Sequence, residues 1–190
     1  MDSLESESSS SHSQRVVWSG PSQSEGEADE PTGLLTQRQQ TLLSYWQELL
    51  PEGKSGNLPL WADFDPLRIW TSITRLVVYE VLDEGKDLFF RLAGAEFERY
   101  FGQGVRGRRF SAISSPERTR AGLKSARLLY ETPVPQLVHG WMEAGRRDHV
   151  TYSRLSVPFA LEPGRRLGII LACYEFGANG PPAVARVGGD

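Results

Sequence analysis

Between Gln37 and Leu50 the apolar residues Leu42, Leu43, Trp46, Leu49 and Leu50 recur three and four positions apart. The polar Gln37, Gln40, Gln47 and Glu48 fall largely elsewhere. That spacing predicts an amphipathic helix over about 36–50 with Thr36 as its N-cap. Pro51 to Asn57 breaks the pattern. In the stretch Leu58 to Pro66, Asp65 is placed to cap a short helix whose first residue is Pro66. From Thr74 the period changes. Leu76, Val77, Val78, Tyr79 and Val81 form a β-branched and aromatic run, Asp83 to Lys86 reads as a turn, and Leu88 to Ala93 is a second run. The pair predicts a β-hairpin.

Phe97, Tyr100 and Phe101 are spaced for a short helix closed by Gly102, and Gly104 and Gly107 bracket a turn before Phe110. Pro116 to Glu131 reads as a second long helix, capped by Ser114 or Ser115 and stopped by Thr132-Pro133. Three strand-like stretches follow, near Val134–Glu143, His149–Leu161 and Leu167–Phe176, with turns at Gly145 and Pro163-Gly164. Leu155, Val157, Phe159 and Leu161 alternate with polar or small residues, as in a half-buried antiparallel strand. Five strands divided two and three around a helical insert predict an α+β domain with one antiparallel sheet, helices on one face and a leading N-terminal helix.

Composition adds the boundaries. Residues 1–33 hold seven acids and one base, with Val16-Val17-Trp18 as their one apolar cluster. Such a segment cannot bury enough surface to offset its chain entropy, so a disordered acidic tail is expected over 1–33. The triplet is either a short partner-binding motif or incidental. The folded domain is expected over 34–176, with a flexible Gly-, Pro- and Ala-rich tail over 177–190. The whole chain has a net charge of −3, so the part after residue 33 carries about +3. That is too weakly basic for a nucleic-acid surface. No apolar run approaches the roughly 20 residues that span a bilayer, and the start lacks the basic and apolar features of a secretory signal. Cys173 is the single cysteine. A cytoplasmic protein without disulfides follows as the expectation.

The insert narrows the fold. Phe90-Arg91-Leu92-Ala93-Gly94-Ala95-Glu96-Phe97, then Tyr100-Phe101-Gly102, then Val105-Arg106-Gly107-Arg108, resembles the strand, helix and glycine-marked turn of PAS domains. The wider pattern resembles the fifth PAS-type family, known mainly from alphaproteobacteria. The residues concerned are Tyr45-Trp46, Leu58-Pro59 through Asp63-Phe64-Asp65-Pro66, Arg91-Leu92-Ala93-Gly94, and Tyr152-Ser153-Arg154-Leu155-Ser156-Val157-Pro158. The likeness spans about Gln40 to Tyr174. Trp61 departs from it, standing where a polar or basic residue is expected. The resemblance implies a sensory or regulatory module in signal transduction that acts through protein contact, with or without a small ligand. In PAS proteins the leading helix often packs across a dimer partner, so a homodimer through the 36–50 helix is expected. With no kinase, cyclase or DNA-binding domain in the sequence, any output is expected to pass through a separate partner.

Candidate chemistry is sparse. A flavin photosensor of this fold needs a reactive cysteine in the helical insert, and none occurs between Ala95 and Ile113; Cys173 lies in an apolar strand. Haem needs an axial ligand, usually His. His12 falls in the tail, while His139 and His149 fall on strands rather than in the insert. No cofactor is therefore predicted, and a haem- or metabolite-binding sensor is the alternative reading. Asp63 and Asp65 suit capping better than metal binding, and Glu80, Asp83, Glu84 and Asp87 suit a solvated turn. Phe97, Phe101, Phe110 and Trp141 would either line a pocket for an apolar or planar ligand or fill the core. Arg106, Arg108 and Arg109 could grip a phosphate or carboxylate, although 18 arginines against 3 lysines make clusters expected by chance. No nucleophile–base pair, phosphate loop or zinc spacing occurs, so an enzyme is not predicted.

Overall fold

A computed structural model describes residues 17–18, 35–51, 57–114, 116–144 and 148–177. Of residues 17–18, 117–118, 141–144 and 148–149 it describes only the course of the backbone. The elements in chain order are β1 (Val17–Trp18), α1 (Gln37–Glu48), β2 (Leu76–Leu82), β3 (Asp87–Ala93), α2 (Ala95–Phe101), α3 (Phe110–Ile113), α4 (Pro116–Glu131), β4 (Gln136–Ala144), β5 (Asp148–Ala160) and β6 (Leu167–Phe176). A 3-10 segment, Pro66–Arg75, leads into β2. The long strands form one antiparallel sheet in the order β4-β5-β6-β2-β3. β1 adds two residues in parallel at the β4 edge, Val17 opposite Gln136 and Trp18 opposite Leu137. An edge strand has unpaired backbone groups to offer, and the apolar doublet within the acidic segment uses them.

Local chemistry sets the ends of the elements. Thr36 and Gln39 form a reciprocal capping box: Gln39 N donates to Thr36 Oγ1 at 3.4 Å and Thr36 N donates to Gln39 Oε1 at 3.1 Å. Asp65 caps the 3-10 segment by accepting from Leu67 N at 2.9 Å. Gly102 ends α2 at φ +126°, a conformation that only glycine adopts readily. The turn after it protects the β3 edge, because Phe90 N donates to Arg108 O at 3.0 Å and Gly107 N donates to Phe90 O at 2.8 Å.

The sheet is buried on both faces. One face, from Leu76, Val78, Leu137, Leu155, Val157, Phe159, Ile169, Leu171 and Cys173, packs against Leu42, Tyr45 and Trp46 of α1 and against Ile69. Trp46 Nε1 donates to Pro158 O at 2.7 Å, so the indole reaches across this core without leaving its N–H unpaired. The opposite face, from Val77, Tyr79, Leu88, Phe90, Ile170, Ala172 and Tyr174, is covered by α2, α3 and α4. The insert helices thus share one face, as the sequence pattern implies. The leading helix covers the other face of its own sheet, so the apolar stripe expected to meet a dimer partner is used within the chain.

Arg75 ties the first face together at one corner. It pairs with Glu175 at the end of β6 and with Glu96 of α2, the latter at 2.6 Å. Thr36 Oγ1 also donates to Glu175, at 3.1 Å. Gly94 lies between β3 and α2 where the backbone of Thr74 crosses; a Cβ there would sit 2.3 Å from Thr74 O. Backbone cannot yield as a side chain can. Gly94→Ala is therefore expected to lower stability by roughly 2–3 kcal/mol in urea titration, within the range for overpacking. An unchanged midpoint would show that this crossing relaxes freely.

Candidate functional site

Alternation along β5 sends Leu155, Val157 and Phe159 to the α1 side and Arg154 and Ser156 to the insert side. Arg154 is thereby placed in the layer between the sheet and α4. Its Nη2 donates to Ser125 Oγ of α4 at 2.6 Å, and Ser125 Oγ donates to Gln136 Oε1 of β4 at 3.2 Å. Tyr79 of β2 and Tyr174 of β6 share a hydrogen bond between their hydroxyls at 2.9 Å. The Tyr152 ring stands 5.6 Å from that of Tyr174 and lies over Gly140, where any Cβ would meet its hydroxyl at 2.7 Å.

Among the described residues no carboxylate pairs with Arg154. The groups that act on its charge are phenols. Burial opposes the guanidinium charge, Tyr174, Tyr152 and Tyr79 favour it, and the net shift is upward; an arginine is in any case protonated at neutral pH. Burial, and then the neighbouring Tyr174, push the Tyr79 hydroxyl well above the usual phenol range. Two buried donors here have no hydrogen-bond partner, Arg154 Nε and Gln136 Nε2. A small cavity of about 10 Å³ adjoins Arg154, lined also by Tyr79, Ser125 and Ser156 on its polar side and by Leu88, Leu129 and Ile170 on its apolar side.

The residues singled out from the sequence fall elsewhere. Phe97, Phe101 and Phe110 pack round Phe90: Phe97 stacks on Phe101 at 4.9 Å, and Phe90 lies 6.2, 5.8 and 6.0 Å from Phe97, Phe101 and Phe110. Their rings fill the core beside the cavity rather than lining it. The Trp141 side chain is outside the described residues; its backbone pairs with Thr151. Arg106, Arg108 and Arg109 are all exposed, and Arg109 faces Asp87 at 3.7 Å and Asp83 at 3.9 Å, which offsets its charge. His139 occupies the α1 side of β4, alongside Leu137 and opposite Ser153, away from the insert helices. Burial lowers its pKa. The His149 side chain and His12 lie outside the described residues. Asp65 caps, as expected, and Asp63 is exposed. Among the described residues no three His, Cys, Asp or Glu side chains gather so as to hold a metal, and no helix is long and apolar enough to cross a membrane.

Arg154 is the residue that sequence reasoning passed over. The available signal was a charged residue in register with one face of a strand whose other face carries Leu155, Val157 and Phe159. That signal becomes useful only once both faces are known to be covered.

A second feature lies on the surface. In a 3-10 helix residues three apart eclipse one another. Trp70 and Ile73 accordingly project outward together after the kink at Ile69, and Leu67 is exposed before it; the three are 75 (Leu67), 67 (Trp70) and 46% (Ile73) exposed, while Ile69 and Ser72 are buried. The ridge is flanked by the Arg68–Glu48 ion pair at 2.8 Å, with Arg68 also over the Tyr45 ring at 5.1 Å.

Two outcomes follow from this geometry. Burial pushes the Cys173 thiol up to about 12, so at pH 8 native protein is expected to resist a thiol-reactive disulfide reagent and to react fully in urea. Fast labelling of the native chain would contradict the placement of Cys173. For His139, the folded-state pKa lies below the unfolded one, so as pH falls through about 6.5 the unfolded chain takes up a proton that the folded chain refuses. Stability contributed above that pH is then lost. Melting temperature is expected to drop from pH 7.5 to 5.5 by more in the wild type than in His139→Gln, whereas equal drops would exclude His139 as a source.

Comparison with known proteins supports the architecture. No curated protein and no solved structure matches the chain. The family model for the PAS domain matches residues 35–171, which is more than half of the chain and runs from the cap of α1 into β6. With the five-stranded antiparallel sheet and the helical insert on one face, that match establishes that the chain belongs to the PAS domain family, a family of sensory and regulatory modules.

Proposed function

We propose that this chain is a PAS-type regulatory module that works through protein contact, and that the Leu67–Trp70–Ile73 ridge is its contact surface. The observation behind this is the exposure of three large apolar side chains on one ten-residue segment. A contiguous apolar strip of this kind is uncommon on a protein that meets only water. Tryptophan is also the residue type most often central to a protein interface.

A second copy of the chain is the partner that suits the ridge. A two-fold contact requires a patch complementary to itself. The ridge is bordered by both signs of charge, Asp63, Asp65 and Glu48 on the acidic side and Arg68 on the basic side. The homodimer expected from the leading helix is thus retained and its surface moved, because the apolar face of α1 is committed to the sheet. The aromatic cluster around Phe90 occupies the space where a large planar cofactor would have to sit, which favours protein contact over a haem-type sensor.

Sedimentation equilibrium of the full chain is expected to give a mass approaching twice 21.2 kDa as concentration rises. The double variant Leu67→Ser, Trp70→Ser should weaken that association by at least about tenfold, with the circular dichroism spectrum unchanged. A wild-type monomer at all concentrations would end the self-association reading. A dimer of undiminished strength in the variant would place the contact elsewhere.

A further inference from the structure

We infer that the outer edge of β4 is a strand-receiving surface whose partner is an extended, apolar and acidic peptide segment added in parallel, and that Val17-Trp18 is the resident strand such a partner displaces. The two edges of the sheet differ. At β3 the turn after α2 comes back along the strand: Phe90 N donates to Arg108 O, Gly107 N donates to Phe90 O, and Phe89 forms a bridge with Arg109. That edge is covered. At β4, a strand of nine residues, β1 meets only Gln136 and Leu137, and among the described residues no other strand lies beyond it. The usual guards of an edge are missing there too. Gln136–Ala144 contains no lysine and no proline, its one Asp, Glu, Lys or Arg is Glu143, and its register with β5 runs without a bulge.

The resident strand shows which kind of segment fits and why it is held weakly. Val17 and Trp18 are good strand formers, but Ser19-Gly20-Pro21 follows them in the sequence. Glycine is a poor strand former, and proline has no N–H to give to the ladder. Parallel pairing is the weaker kind per residue, and here it covers two residues. A segment with strand formers in place of Gly20-Pro21 would pair along the rest of β4 and gain main-chain bonds that the resident lacks. Charge favours the same class. The resident belongs to a stretch of seven acids and one base in a chain of net −3, which leaves about +3 elsewhere, so an acidic partner is attracted as the resident is. Linkage within one chain gives the resident an effective concentration on the order of mM. It therefore excludes weak partners and yields to one that pairs along the whole strand. β5 and β6 separate β4 from β2, the strand into which Pro66–Arg75 leads, so this surface is distinct from the Leu67–Trp70–Ile73 ridge.

The test measures fluorescence anisotropy of labelled peptides on the full chain, with Leu67→Ser and Trp70→Ser present throughout so that the ridge does not contribute. One peptide has the sequence of residues 14–25, which in the register of β1 reaches a position opposite Ala144. A second carries Gly20→Val and Pro21→Thr, and a third is a scramble of the second. The second peptide is expected to bind the Val17→Ser, Trp18→Ser chain with one site, and the first to bind at least about tenfold more weakly because it forms fewer ladder bonds. The scramble should not bind. A chain that keeps Val17 and Trp18 should bind the second peptide at least about threefold more weakly than the chain that lacks them, because the resident competes. Amide hydrogen exchange should slow on binding within Gln136–Ala144. The inference is overturned if the second peptide fails to bind, if the scramble binds equally, or if Val17 and Trp18 make no difference to affinity. Slowed exchange elsewhere but not in β4 would overturn it as well. So would dimerisation of the chain lacking Val17 and Trp18 through β4, which would make a second copy the occupant.

Discussion

A sheet that is apolar on both faces must be covered twice, and this requirement governs the rest of the molecule. Val77, Tyr79, Ile170 and Ala172 look one way; Leu76, Val78, Ile169 and Leu171 look the other. β6 lies at the centre and is buried almost throughout its length. The three insert helices cover one face. The second would remain wet without α1, whose Leu42, Tyr45 and Trp46 close it, each full burial of such a side chain contributing about 1.5–3 kcal/mol. The leading helix is therefore part of the domain's own core. Removing it would expose the α1-side core to water.

Double coverage also explains why the polar groups within the layers matter. On the α1 side Gln39 Nε2 donates to Ser153 Oγ at 3.0 Å and Arg75 is met by Glu96 and Glu175, while Ser72 Oγ is buried without a partner. On the insert side Arg154 finds hydroxyls but no acid among the described residues. Two arginines thus enter the interior with different outcomes. One is a structural tie with balanced charge; the other is a cation held in place by neutral groups beside a small cavity.

The outer surface follows the same logic of periodicity. Had Pro66–Arg75 been α-helical, Leu67, Trp70 and Ile73 would have drifted round the axis. The 3-10 turns after Ile69 keep Trp70 and Ile73 in line, with Ile69 and Ser72 buried on the inner side. Pro66 at the start and the kink at Ile69, where φ is −130° and ψ is 28°, belong to a segment that is short, capped and packed against α1. An apolar ridge results that the sequence, read as a generic short helix, did not disclose.

What the sequence determined by itself was the set of elements. Thr36 marked the start of α1, Asp65-Pro66 the cap of the next segment, Gly102 the end of α2, and Thr132-Pro133 the stop of α4; the strand runs fell within two residues of their observed ends. These features are local, set by backbone conformation and neighbouring side chains, so they are legible in one dimension. The tertiary structure alone decided that α1 covers its own sheet, that Phe97, Phe101 and Phe110 pack around Phe90, and that Arg109 is offset by Asp83 and Asp87. It alone brought together Tyr79, Ser125, Gln136, Arg154 and Tyr174, which come from five separate elements. Strand order and face assignment are long-range choices, made by which apolar surfaces meet, and no spacing along the chain records them.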